Sequence, residues 1–153
     1  MDTSIEKATI DDAEEILELQ KLAYVSEAEI NDDFTIPPLH QTMDEIRAEF
    51  DRQVFLKVQL DGRIIGSVRC YLDGGTCHIG KLIVHPDYQN RGIGTRLLRA
   101  AEEQFPSAER YVLFTGEKSR RNLHIYQKSG YRVFDRKVVS EKLTMVYLQK
   151  PGP

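Results

Sequence analysis

Between His78 and Thr95 the chain reads His-Ile-Gly-Lys-Leu-Ile-Val-His-Pro-Asp-Tyr-Gln-Asn-Arg-Gly-Ile-Gly-Thr. Gly92 and Gly94 let backbone N–H groups approach a ligand without a Cβ in the way. A helix start carries unpaired N–H groups and partial positive charge. Together they suit a phosphate or pyrophosphate, and Arg91 adds a mobile cation beside them. Taken alone, Gly-x-Gly spacing also fits a turn that is merely well shaped. The dinucleotide-binding fingerprint needs a third glycine where Leu97 stands and an acidic residue about 20 positions on, and neither is present.

Ile79, Leu82, Ile83 and Val84 have the apolar, β-branched character of a strand, and Pro86 ends its ladder. Thr95 to Gln104 has helical periodicity, with Leu97, Leu98 and Ala101 on one side. Upstream, Ile5 to Ile10 reads as a short strand. Asp11 or Asp12 then caps a helix running to about Tyr24, with Ile16, Leu19, Leu22 and Ala23 at three- and four-residue spacing. Val25 to Gln41 reads as an irregular acidic stretch holding Glu27, Glu29, Asp32 and Asp33, either a solvated loop or a pocket wall attracting a cation. Thr42 and Glu45 stand at capping-box spacing before a second helix that ends near Asp51.

Val54 to Leu60 and Ile64 to Leu72 are strands joined by the hairpin signal Asp61-Gly62. Asp73-Gly74-Gly75 turns into the central strand. Arg110 to Thr115 follows the central helix and is expected parallel to that strand across a crossover. Asn122 to Lys128 reads as a helix stopped by Gly130. Tyr131 to Phe134 and Leu143 to Leu148 are the last strands, and Lys150-Pro-Gly-Pro carries no structural signal. Residues 1–150 form one domain with a tail at 151–153.

With 153 residues and a net charge of −3, the chain has room for a substantial core and offers no overall case for nucleic-acid binding. It shows neither a signal-peptide layout nor an apolar run long enough to span a membrane, so a cytoplasmic location is expected. Cys70 and Cys77 could face each other across a hairpin, with free thiols expected. No His, Cys or carboxylate set has metal-ligand spacing, and no Ser-His-Asp or Cys-His arrangement suggests a covalent intermediate.

The pattern of Leu82, Val84, Pro86, Tyr88, Gln89, Gly92 and Gly94 resembles the coenzyme-binding motif of the GNAT N-acetyltransferase superfamily. The segment Ser119 to Tyr131 resembles a second motif of that family. Tyr126, Gly130 and Tyr131 match it; Ser119 stands where the family often has Asn, and Asn122 where it often has Ala. The element order β-α-α-β-β-β-α-β-α-β-β resembles the family fold along essentially the whole chain.

The resemblance implies an α/β (α+β) fold: a mixed, mostly antiparallel sheet of about seven strands, about four helices, and a splayed parallel strand pair. It implies an acetyl-CoA-dependent N-acetyltransferase acting by direct transfer in a ternary complex. Leu82, Ile83 and Val84 would pair with pantetheine amides. Gln89, Asn90, Arg91, Gly92, Ile93, Gly94 and Thr95 would cradle the pyrophosphate, and Asn122 would touch the coenzyme. Lys118, Arg120 or Arg121 would meet the 3′-phosphate.

Tyr126 is the family-matched proton donor to the departing sulfur. The general base is unmarked; His78, two residues from Gly80 and four from Leu82 and hence expected on their face, competes with Glu27, Glu29, Asp32 and His40. Glu27, Glu29 and Asp32 would draw in a small cationic amine such as a polyamine or aminoglycoside. A protein or peptide amino group and a non-catalytic coenzyme A sensor are the other readings. Partners are acetyl-CoA and the amine, with no nucleic acid, membrane or metal. By analogy the C-terminal strands could pair across a homodimer.

Overall fold

The computed structural model describes residues 3–153. Its strands are β1 (Ile5–Lys7), β2 (Val54–Leu60), β3 (Arg63–Asp73), β4 (Thr76–Val84), β5 (Arg110–Gly116), β6 (Arg132–Ser140) and β7 (Leu143–Pro151). They form one seven-stranded sheet in the order β1-β2-β3-β4-β5-β7-β6. Every neighbouring pair is antiparallel except β4 and β5. The helices are α1 (Ala13–Asn31), α2 (Met43–Phe50), α3 (Ile93–Gln104) and α4 (Arg120–Lys128).

Local chemistry sets most of these boundaries. Asp61 and Gly62 have φ of 51° and 78°, so the β2–β3 connection is a two-residue turn whose twist matches the strands. The α2 capping box forms in full: Glu45 N–H donates to Thr42 Oγ1 at 3.2 Å, and Thr42 N–H to Glu45 Oε1 at 2.9 Å. The β4–α3–β5 crossover brings β5 parallel to β4, as its length requires.

Three expectations change. First, α1 continues to Asn31, so Glu27 and Glu29 sit on a helix and not in a loop. The helical period persists through the acidic stretch, with Gln20, Ala28 and Asn31 all buried; a buried Gln and Asn concealed it. Asp32, at φ 50°, stops the helix. Second, β6 extends from Phe134 to Ser140, although each of its residues is exposed. An edge strand with little to bury has no apolar alternation to read. Third, Lys150 and Pro151 belong to β7, and Gly152 N–H donates to the Glu109 carbonyl at 2.8 Å, so most of the expected tail is built in.

The sheet buries both faces. On one, Leu97, Leu98 and Ala101 of α3 pack on Val58, Val68, Cys70 and Ile79. Cys70 and Cys77 are free thiols on this face, diagonal neighbours in the β3–β4 ladder. On the other face, Ile16, Leu17 and Leu19 of α1 and Ile46 of α2 pack on Phe55, Ile64 and Ile83. Among the described residues no helix is long and apolar enough to cross a membrane.

A polar cluster sits inside that second layer. Arg69 is 2% exposed. Its Nη2 donates to Gln20 Oε1 at 2.6 Å, its Nε lies 3.2 Å from Glu49 Oε2, and its guanidinium stacks 4.7 Å over the Phe55 ring. It therefore ties α1 and α2 to β3. Removing one member of a buried ion pair strands the other charge. Arg69→Met is expected to lower unfolding free energy by about 3 kcal/mol, whereas Glu18→Gln, outside the cluster, should shift it by less than about 0.5 kcal/mol. Urea denaturation of both variants checks this.

Candidate active site

The site begins where the sheet stops being a sheet. β4 and β5 pair only at Thr76↔Arg110, Cys77↔Tyr111 and His78↔Val112. β4 then runs on to Val84 and β5 to Gly116 with no further pairing to each other. On its other edge β4 carries a bulge. Gly80 pairs with Arg69 and Ile83 with Ser67, so Lys81 and Leu82 together oppose Val68. Lys81 takes φ of 42° to do so, a left-handed conformation uncommon for a lysine.

The bulge reverses the alternation of side chains. Leu82 and Val84 pack with the α3 cluster, while Ile83 packs with α1. His78, across from Tyr71 and stacked on its ring at 4.9 Å, stays on the α1–α2 side with Gly80. The expected shared face of His78 and Leu82 is thus corrected, because even alternation holds only for an uninterrupted strand. His78 lines neither of the two cavities described next.

The first cavity, about 330 Å³, runs from Leu82, Ile83 and Val84 along Gln89, Asn90, Gly92, Ile93, Gly94 and Thr95 to Asn122 and Ile125 of α4. Asn90 (φ 63°) and Gly92 (φ 81°) are both left-handed. The turn so folded brings Asn90, Gly92 and the first residues of α3, Ile93, Gly94 and Thr95, to the cavity. Gln89 Nε2 donates to the Val84 carbonyl at 3.2 Å and pins the turn to the end of β4. The guanidinium of Arg91 lies 5.4 Å over the Tyr88 ring, and Arg91 is not among the lining residues. Arg121 and Lys128 line the cavity; Lys118 and Arg120 do not.

The second cavity, about 480 Å³, is lined by Ile36, Pro37, Pro38 and His40 together with Lys81, Phe114, Tyr126, Leu143 and Met145, with Ile36 and Leu143 in one apolar cluster. Tyr24, Glu27, Leu82 and Asn122 line both cavities, so the two meet at the opened end of β4. There, Ser119 Oγ donates to Glu27 Oε1 at 2.7 Å, joining α4 to α1. Asn122 Nδ2 reaches Thr115 Oγ1 at 3.3 Å. Burial, then the neighbouring Tyr24 and Glu27, pushes the Tyr126 hydroxyl well above its ordinary pKa. Tyr24 is pushed up to about 12, mainly by burial.

Of the three acidic residues expected at the acceptor, Glu27 is at the junction. Glu29 is exposed on α1, and Asp32 is exposed beyond its end, 3.9 Å from Lys142. His40 lines the second cavity with its Nε2 held 2.8 Å from the Phe34 carbonyl. Sequence reasoning missed Tyr24, which falls on the buried helical period, and the partnership of Ser119 with Glu27, which joins positions far apart in the chain.

The sequence matches the model of the acetyltransferase (GNAT) family over residues 14–131. It is 32% identical over 126 residues to YqkA of Bacillus subtilis, covering 82% of this chain and 36% of YqkA. It is 35% identical over 80 residues to YdhI of the same organism, covering 51% of this chain and 49% of YdhI. The chain thus spans about a third to a half of the length of these relatives. In structure it resembles the PaiA N-acetyltransferase of Thermoplasma acidophilum, solved with coenzyme A, with a TM-score of 0.83, 18% identity and 99% of each chain covered. The opened parallel pair, the bulge beside it and the left-handed turn into α3 all lie inside the matched segment, and the chain belongs to the GNAT acetyltransferase family.

Proposed function

We propose that the protein transfers the acetyl group of acetyl-CoA to the primary amine of a small molecule, directly and within a ternary complex. The observation that carries this is the meeting of two cavities at one carboxylate and the opened strand edge. The first cavity suits coenzyme A. Its strand edge has backbone amides to offer a pantetheine arm, its left-handed turn offers N–H donors to a pyrophosphate, and Arg121 and Lys128 supply positive charge. Bound there, acetyl-CoA supplies an acetyl group activated as a thioester.

The chain's own groups divide the remaining work. Backbone N–H groups at the Lys81–Leu82 bulge stabilise negative charge developing on the carbonyl oxygen. Glu27 takes a proton from the substrate ammonium, since only the free amine is a nucleophile. The new C–N bond forms as the C–S bond breaks. Tyr126 gives its proton to the departing sulfur and recovers one from the nitrogen, leaving an amide and a free thiol. The bulky Ile36, Pro37 and Pro38 that line the acceptor cavity favour a small acceptor over an extended peptide.

In this reading Tyr126→Phe lowers kcat by about 100-fold and leaves the acetyl-CoA Kd within a factor of two, measured by thiol release and calorimetry. Unchanged kcat would remove Tyr126 from the reaction. Because burial raises its pKa, Tyr126 keeps its proton as pH rises, so any alkaline loss of rate below pH 10 should persist unchanged in shape in the Phe variant.

The two glycines separate fold from binding. Gly92→Ala forces a Cβ into a left-handed position and should cost about 1 kcal/mol of stability. Gly94→Ala places its Cβ 3.4 Å from Ile125 Cδ1 and 3.9 Å from Val84 Cγ2, ordinary contacts with two residues that line the coenzyme cavity. Stability should therefore hold while the acetyl-CoA Kd rises by roughly 10-fold. Denaturation and calorimetry on the two variants read both effects.

A further inference from the structure

The acceptor cavity has its own chemical character. Much of its lining is apolar: Ile36 and Leu143, each 6% exposed, pack in one cluster with Met145, and Pro37, Pro38 and Phe114 add to it. The charged groups that line it are mostly engaged elsewhere. Glu45 accepts the Thr42 N–H at 2.9 Å as part of the α2 cap. Lys81 projects into the cavity from the bulge, 3.7 Å from Glu49 Oε1. Glu49 already faces buried Arg69 and takes a hydrogen bond from Gln41 Nε2 at 2.7 Å. Glu27, held by Ser119 at the junction with the coenzyme cavity, is the carboxylate placed to meet an ammonium beside the reacting acyl group.

We infer that the acceptor is a primary monoamine with an apolar body, its ammonium at Glu27 and its body against the wall formed by Ile36, Pro38, Leu143 and Met145. This rests on the acetyl-transfer reading above. A second cationic group, as in a polyamine or aminoglycoside, would be desolvated against an apolar wall and set near Lys81 with Arg69 behind it. One carboxylate at the junction matches one ammonium. A hydrocarbon body gains instead from leaving water, worth about 4-fold in affinity per buried methylene.

The test uses the purified 153-residue chain with a series of n-alkylamines from propyl to octyl, phenylethylamine, spermidine and kanamycin. Each is assayed by thiol release from acetyl-CoA, and its binding to the protein saturated with coenzyme A is measured by calorimetry. The expected result is affinity and kcat/KM rising by about 4-fold per methylene until the cavity is filled, with hexylamine at least about 10-fold better than spermidine. Met145→Asp, which puts an anion in the apolar wall, should flatten the chain-length series and narrow the gap to spermidine.

Spermidine or kanamycin matching hexylamine would overturn the inference. So would a flat alkylamine series on protein that binds coenzyme A normally. Graded alkylamine binding without turnover would support the acceptor class and count against acetyl transfer. Failure to bind acetyl-CoA would strike the underlying reading, and the amine series repeated by calorimetry on the protein without coenzyme A would still judge the cavity: graded alkylamine binding would support the inference and a flat series would overturn it.

Discussion

The structure depends on a parallel strand pair that is not allowed to finish. β5 is committed to β7 through seven antiparallel pairs, from Arg110↔Pro151 to Gly116↔Met145. β4 is committed to β3 on its other side, through a bulge that twists its last residues away. After His78↔Val112 both strands follow those neighbours and leave each other. Backbone groups inside a protein need partners, and the edge beyond His78 is where a ligand rich in amides can supply them. A ligand bound at this edge would complete a sheet that the chain leaves open. The helices furnish the rest of the site around that edge. α3 presents its N-terminus at the end of β4, and α1 and α4 meet across the opening through Glu27 and Ser119.

What the sequence disclosed follows from the range over which each signal acts. The Asp61-Gly62 hairpin, the Thr42–Glu45 cap and the strand–turn–helix from Leu82 to Gly94 are set by residues close in the chain, and each was legible there. The left-handed Asn90 and Gly92 belong to the same local logic. Positions set by distant partners were not legible. The bulge at Lys81 depends on its register with β3, so His78 shares its face with Gly80 but not, as even alternation implies, with Leu82. The end of α1 depends on buried Gln20 and Asn31, whose polar side chains interrupt an apolar stripe that continues in space. Gln20 is buried because Arg69, far along the chain, donates to it, and because its own Nε2 donates to the Pro38 carbonyl at 2.9 Å. No local window contains that information.

The same buried cluster links stability to the acceptor site. Gln20 donates to the carbonyl of Pro38, a lining residue of the second cavity, while Gln41, which bonds both Gln20 and Glu49, lines that cavity itself. Arg69 Nε and Nη1 and Glu49 Oε2 are buried without a hydrogen-bond partner among the described residues, so the ion pair at 3.2 Å is close but poorly aligned. Desolvation of such a pair offsets much of its attraction. A fully apolar contact would pack this layer as well, but it would not fix where the Pro37–Leu39 turn sits. The polar cluster, through Gln20 on the Pro38 carbonyl and on Gln41, fixes the position of the turn that lines the second cavity.

Burial at Tyr126 constrains how a proton can move. The ring is 4% exposed, and its hydroxyl is held above the ordinary pKa by that burial and by Tyr24 and Glu27 nearby. A thiol titrates at about 8.5 and an unperturbed phenol at about 10. A stepwise transfer from phenol to thiolate is therefore uphill even before burial, by about 1.4 kcal/mol for each pKa unit. Burial steepens that climb, so a free tyrosinate is not a stopping point on the path. Tyr126 can serve the sulfur only if its oxygen is re-protonated in the same event, and the nitrogen that has just formed the amide is the group with a proton to lose. Tyr126 and Glu27 line the same cavity, and in the proposed reaction that placement would meet the requirement: the carboxylate would remove the first proton, making the amine a nucleophile, and the phenol would pass on the second, making sulfur a leaving group.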